Sequence, residues 1–193
     1  MSVFSARSVL RVVLFAIFLV AGSGYVLGSS AAPFLTACIA FIAAVVGYFS
    51  LVQTRDLARK KATLDLIESA ESKEYYQDRY TAYLAFRRAS RAEREQIANP
   101  ENRDPTCDAL RSKCQDFLNH YELVAIAGKQ GLLDLDFYRD WMGPNFVRDW
   151  NEAEILVNSA RGVDRPGDRG NPVAFENFER LAVSWGGKPL RRK

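Results

Sequence analysis

The feature that most constrains this chain is a run of 43 consecutive residues, 12 to 54, that contains no Asp, Glu, Lys, Arg or His. A soluble fold does not need such a run, whereas a helix needs about 20 mostly apolar residues to cross a membrane. The run and its N-terminal flank contain two segments of this kind, at about residues 9–27 and 34–52. The sequence therefore predicts two transmembrane helices.

The residues around the two segments predict a hairpin. The turn at 28–33 carries no charge and ends in Pro33, which is well suited to the first turn of a helix. Arg7 and Arg11 lie at the start of the first segment, and four basic residues lie at 55–61. Under the positive-inside rule, both ends of a multi-pass hairpin (domain 1–54) then face the cytoplasm. The alternative is a cleaved signal peptide that ends near the small residues at 30–32.

The rest of the chain, 55–187, is predicted to be an all-α cytoplasmic domain, with a short basic tail at 188–193. No segment alternates apolar and polar residues for long enough to require a strand. The apolar spacing and the helix-end signals predict a continuation of the second span through Ile67, then helices at 74–98, 105–129, 135–142, 145–162 and 172–185. Because the apolar faces of these helices can bury against one another, we expect an antiparallel bundle.

The charge balance argues against a nucleic-acid partner. From Arg55 onward the chain has 24 basic and 23 acidic residues, so this part is nearly neutral. General affinity for nucleic acid requires a clustered excess of positive charge. We therefore expect no nucleic acid among the partners.

The usual reactive constellations are missing from the sequence. The chain has one histidine, no Gly-rich phosphate loop and no nucleophile elbow, and its three cysteines do not form a disulfide framework. We therefore predict no catalytic residues, no cofactor and no metal site. The balance of the sequence is against an enzyme.

Two groups of polar residues remain as candidates. Arg87, Arg91 and Arg94 fall on one face of the predicted 74–98 helix and could contact anionic lipid or a partner, or form a solvated face. Asn119 and Glu122 are three residues apart on the 105–129 helix and can share a face. For this second pair we expect buried hydrogen bonds more than a solvated face or a reactive site.

Three stretches carry a resemblance to a known family: 59–68 (RKKATLDLIE), 117–125 (FLNHYELVA) and 175–182 (FENFERLA). Together they resemble the bacterial family called domain of unknown function 4760, over residues 54–185. The resemblance implies a membrane-anchored helical protein, here placed in a bacterial inner membrane, and it implies no activity. Asn119, Glu122 and Glu179 are the polar positions that match, and the resemblance implies contacts that specify the fold.

These observations predict a membrane-tethered helical interaction or scaffold module that docks a protein partner or associates with itself at the inner membrane face. One alternative is an effector that oligomerises and perturbs the membrane. Another is an enzyme acting on a lipid or nucleotide headgroup. A polar-lined cavity in the bundle would favour a ligand-binding or enzymatic role.

Overall fold

The computed structural model describes residues 32–163 and 170–190, without the side chains of residues 32–35 and 71. The described residues form helices and no strands, which confirms the all-α prediction for this part of the chain. The helices are α1 (Ala32–Ser72), α2 (Glu74–Arg88), α3 (Arg91–Ala98), α4 (Pro105–Lys129), α5 (Leu135–Glu152), α6 (Glu154–Arg161) and α7 (Glu176–Ser184).

The chain divides between Ala58 and Arg59 into two compact units. In the first unit, the described residues belong to the apolar part of α1. The stretch Thr36–Ala70 contains an apolar window that is long enough to cross a membrane and has none of its residues buried. Phe41, for example, is 71% exposed. One membrane-spanning helix is thus present by length and composition, whereas the first predicted span, 9–27, and therefore the hairpin lie outside the described residues.

The second unit is a helical bundle with α4 at its centre. Asp104 begins α4, because its carboxylate accepts a hydrogen bond from the backbone N–H of Thr106 at 2.8 Å and Pro105 occupies the first turn. Along α4, Phe117, Leu118 and Tyr121 are at most 1% exposed. The helix packs most extensively against α2 and α7. An aromatic core therefore surrounds α4.

The predicted helix at 74–98 is two helices, because the chain turns at Ala89 and Ser90. Ser90 forms a capping box with Glu93: the serine Oγ accepts the Glu93 N–H at 3.3 Å, and the glutamate Oε2 accepts the Ser90 N–H at 2.7 Å. This reciprocal cap satisfies two backbone donors and starts a new helix. The periodicity of the sequence continued across the cap and concealed it.

The predicted stop at Gly143–Pro144 was wrong, because α5 runs through Pro144 and ends at Glu152. A proline inside a helix costs about 3 kcal/mol. Tyr138, Phe146 and Trp150 nevertheless lie on one stripe of α5 and are each at most 2% exposed. Burying these rings on one continuous helix outweighs the lost hydrogen bond. The chain breaks at Ala153 instead, before α6.

Candidate functional site

A cavity of about 150 Å³ lies within the bundle. The end of α1 that belongs to the bundle forms one wall, and α2, α4 and α5 form the others. The aliphatic and aromatic lining residues are Leu66, Ile67, Ala70, Tyr76, Tyr80, Tyr121, Tyr138, Trp141 and Met142, and the other polar ones are Gln77, His120, Asn145, Arg148 and Asp149. Trp141 lines the cavity and is 58% exposed, so this part of the lining lies at the protein surface. A mostly apolar cavity with a few convergent polar groups is typical of a ligand site.

Asp149 is the charged centre of the cavity wall and is 1% exposed. Its Oδ1 accepts hydrogen bonds from Arg87 at 3.0 Å and from Arg148 at 3.4 Å, and its Oδ2 accepts one from the Tyr121 hydroxyl at 3.0 Å. The Tyr83 hydroxyl donates to its backbone oxygen. Burial raises the pKa of Asp149, although the Tyr121 hydrogen bond and the two arginines oppose this rise. The cluster joins α2, α4 and α5 at one carboxylate.

His120 gives the cavity a polar group that is neutral at physiological pH. Its ring lies edge-on to the Tyr76 ring, with centroids 5.0 Å apart. Burial lowers the pKa of His120 to about 4 and raises the pKa values of the Tyr76 and Tyr138 hydroxyls. These groups can therefore donate and accept hydrogen bonds without carrying charge. They line the cavity, and their protonation states do not favour acid-base exchange near neutrality.

A second concave region is a polar open cleft between α3 and α6, with a volume of about 950 Å³. Its charged lining residues are Arg91, Arg94, Glu95, Glu101, Glu152 and Glu154, and Asn158 also lines it. Arg94 pairs with Glu152 at 3.2 Å, and Arg91 pairs with Glu95 at 3.0 Å. Among the described residues Glu101 and Glu154 form no ion pair, so the cleft carries a net negative charge. We call this region the α3/α6 cleft.

The structure separates the three arginines that the sequence placed on one face. Arg87 belongs to α2 and bonds to Asp149, whereas Arg91 and Arg94 belong to α3 and line the α3/α6 cleft. The capping box at Ser90 is the physical reason, because it ends the continuous helix on which a shared face depended.

Glu122 belongs to α4, and its side chain reaches the N-terminus of α7. Its carboxylate accepts hydrogen bonds from the backbone N–H groups of Asn177 at 3.2 Å and Phe178 at 2.7 Å, and from the Asn177 amide at 2.7 Å. The residue before α7, Phe175, has a positive φ of 57° and provides no side-chain cap. The Glu122 carboxylate therefore caps the N-terminus of α7, a role that the N-cap residue of the helix itself ordinarily has.

Glu179 and Asn119 lie in contrasting surroundings. Glu179 is buried and accepts hydrogen bonds from Arg161 at 2.9 Å and from the Leu190 N–H at 3.0 Å. Asn119 is exposed on α4. Glu122 thus joins α4 to α7, and Glu179 contacts Arg161 on α6 and the backbone at Leu190. The structure does not bring Asn119, Glu122 and Glu179 together into one site.

Sequence reasoning missed Asp149. A signal was present, because Asp149 follows Phe146 by three residues and immediately precedes Trp150, so that a carboxylate falls beside the apolar stripe of a helix. Assigning the helix stop to Pro144 hid this pattern. A buried acid beside such a stripe requires donors, and these come from α2 and α4.

The described residues contain no group of three or more His, Cys, Asp or Glu side chains that could hold a metal ion. Cys107 and Cys114 are free thiols. Burial raises the pKa of Cys114 to about 12, so this thiol is not a ready nucleophile.

The described fold defines the class of protein: an all-helical chain with one helix that can span a membrane and a helical bundle with its own aromatic core. Within that class the chain belongs to the family described as Domain of unknown function (DUF4760), whose match covers residues 37–185. Comparisons with curated proteins and with solved structures found no match. The family relation therefore carries no activity to this chain, and function has to be argued from the two concave regions.

Proposed function

We propose that the protein is a membrane-tethered helical interaction module, and that it docks an extended, basic polypeptide segment in the α3/α6 cleft. The observation that carries this proposal is a pair of buried polar atoms among the residues that line the cleft. The Nε of Arg94 and the Oδ1 of Asn158 have no hydrogen-bond partner among the described residues. An unpaired buried polar group costs about 1–3 kcal/mol, so both atoms favour a partner that supplies the missing bonds.

A polypeptide backbone is suited to these two atoms. Arg94 Nε is a donor and Asn158 Oδ1 is an acceptor, and each peptide unit presents both a C=O and an N–H group. Turning the Asn158 side chain outward would bring its unpaired oxygen to a chain lying in the cleft. An open polar cleft of about 950 Å³ suits an extended segment better than a small molecule.

The charge of the cleft indicates what kind of segment binds. Glu101 and Glu154 lack ion-pair partners among the described residues, while Arg91 and Arg94 are already paired. The surplus of carboxylates favours Lys or Arg in the partner and disfavours the phosphates of nucleic acid.

The proposed tether is a pair of membrane-spanning helices. We infer that the segments at 9–27 and 34–52 form a transmembrane hairpin in a bacterial inner membrane, with both ends and an antiparallel bundle in the cytoplasm. The uncharged run at 12–54 and the flanking basic residues support this topology.

The topology predicts opposite results for two fusions to alkaline phosphatase, an enzyme that is active only after export. A fusion in the 28–33 turn should be active, and a fusion after residue 54 should be inactive. The full chain should stay in the membrane pellet after a carbonate wash. Activity in the second fusion would contradict the orientation, and full-length protein in the supernatant would contradict the tether.

Site-specific cross-linking tests the docking. A photoreactive residue at Glu154 in the full chain should give a protein adduct in living cells, and the same residue at exposed Arg180 on α7 should not. Adding the charge reversal Glu101→Lys should abolish the adduct at 154, because it removes one of the unpaired carboxylates. Equal adducts at 154 and 180, an adduct with a second copy of this chain alone, or an adduct that is indifferent to Glu101→Lys would overturn the proposed partner.

A further inference from the structure

The 150 Å³ cavity of the bundle is not needed for docking in the α3/α6 cleft, and its size indicates what it can hold. An apolar cavity of about 150 Å³ accepts a benzene-sized ring. Four tyrosines and a tryptophan contribute to its walls: Tyr76, Tyr80, Tyr121, Tyr138 and Trp141. Such walls favour an aromatic ring through edge-to-face and stacked contacts.

The cavity has a positively charged groove next to it. A neighbouring groove of about 350 Å³ is lined by Tyr80, Leu84, Arg87, Arg88, Arg148 and Glu152. Because Tyr80 and Arg148 line both the groove and the cavity, the two are adjacent. Asp149 and Glu152 already bond to arginines, at 3.0 Å to Arg87 and 3.2 Å to Arg94.

Three arginines that line this groove have unused donors. Arg88 forms no ion pair among the described residues. Arg148 is half-exposed and reaches Asp149 through its Nε at 3.4 Å, which leaves its two terminal nitrogens available. The Nε of Arg87 is buried and has no hydrogen-bond partner among the described residues. These groups favour an anion and repel a cation, although an aromatic cage alone would also suit a cation.

We propose that this cavity binds a small aromatic carboxylate, whose ring lies among Tyr76, Tyr138 and Trp141 and whose carboxylate pairs with Arg148. His120 remains uncharged in the wall and can donate or accept one hydrogen bond to a ring substituent. Arg148 has the flexibility to follow the ligand, since its side chain is 46% exposed.

Phenylacetate is the probe, because it combines one phenyl ring with a carboxylate one carbon away. Binding to the full-length protein in detergent is measured by the change in tryptophan fluorescence and by calorimetry. We expect Arg148→Ala to weaken binding by roughly tenfold or more, the effect of losing a charge-assisted hydrogen bond. Phenylacetamide, the uncharged isostere, should bind the wild-type protein more weakly by a similar factor. Ala70→Phe, which fills the cavity, should abolish binding.

Arg139→Ala is the matched control, because Arg139 is an exposed arginine on the same helix and does not line the cavity. It should leave the affinity unchanged. Equal affinity for phenylacetate and phenylacetamide, tighter binding of the cation benzylamine, or no detectable binding by the wild-type protein would overturn the proposal. The test is independent of the docking proposal, since Glu101→Lys should not change phenylacetate binding.

Discussion

Replacing Asp149 with alanine is expected to lower the free energy of unfolding of the bundle by about 3–5 kcal/mol. The variant leaves the Arg87 guanidinium, whose side chain is 19% exposed, and the fully buried Tyr121 hydroxyl without their carboxylate partner. Both groups would stay desolvated and unpaired. Urea unfolding of the full chain in detergent measures the effect, because all three tryptophans, Trp141, Trp150 and Trp185, lie in the bundle and their fluorescence reports its unfolding.

Comparing Asp149→Asn with Asp149→Ala separates the loss of the charge from the loss of the side chain. Asp149→Asn keeps one acceptor oxygen and the side-chain volume, and it should cost less than alanine. The raised pKa of Asp149 supports this order. The folded state holds the Asp149 proton more tightly than the unfolded state does, so protonation of Asp149 stabilises the fold, and that stabilisation is lost as pH rises through the folded pKa. At neutral pH the carboxylate therefore already bears a desolvation cost. Asp140→Ala, at an exposed site on the same helix, should change stability by less than about 0.5 kcal/mol. If Asp149→Ala also lowered the free energy of unfolding by less than about 0.5 kcal/mol, the Asp149 cluster would not hold the bundle together.

The helical content could be read from the sequence because periodicity and end signals agree where packing is regular. Asp104 and Pro105 predicted the start of α4, and the structure gives the helix Pro105–Lys129 as expected. The predictions were wrong where tertiary contacts override local preference. At Pro144 the burial of Phe146 and Trp150 keeps a helix intact that local rules would end.

The cavity could not be predicted, because its walls come from four helices and its centre is a single acid. Asp149 receives donors from residues 62 and 28 positions away in the chain, Arg87 and Tyr121. No local spacing encodes such a convergence. The helix α7 illustrates the same limit, since its N-terminal cap, Glu122, is supplied by α4. Sequence patterns marked Glu122 as a polar position that needed a partner, but not which helix supplied that partner.

Glu179→Ala is expected to lower the free energy of unfolding by about 3–5 kcal/mol, as for Asp149→Ala. A double variant can assign this loss to the buried ion pair of Glu179 with Arg161. The Arg161 and Glu179 side chains are 3% and 6% exposed, and their charged groups are 2.9 Å apart. Removing the acid leaves an uncompensated guanidinium in the interior and also removes the acceptor of the Leu190 N–H.

Replacing both partners, as Arg161→Met with Glu179→Leu, removes the two buried charges together, so the double variant should lose less stability than Glu179→Ala alone. The remaining loss should reflect the freed Leu190 N–H and the contact from Arg161 Nε to the Ala174 oxygen at 2.9 Å. Urea unfolding followed by tryptophan fluorescence measures the wild type, Glu179→Ala, the single variants Arg161→Met and Glu179→Leu, and the double variant. If the double variant instead loses as much as the two single variants combined, the two side chains act independently, and the ion pair is not what couples α6 to α7.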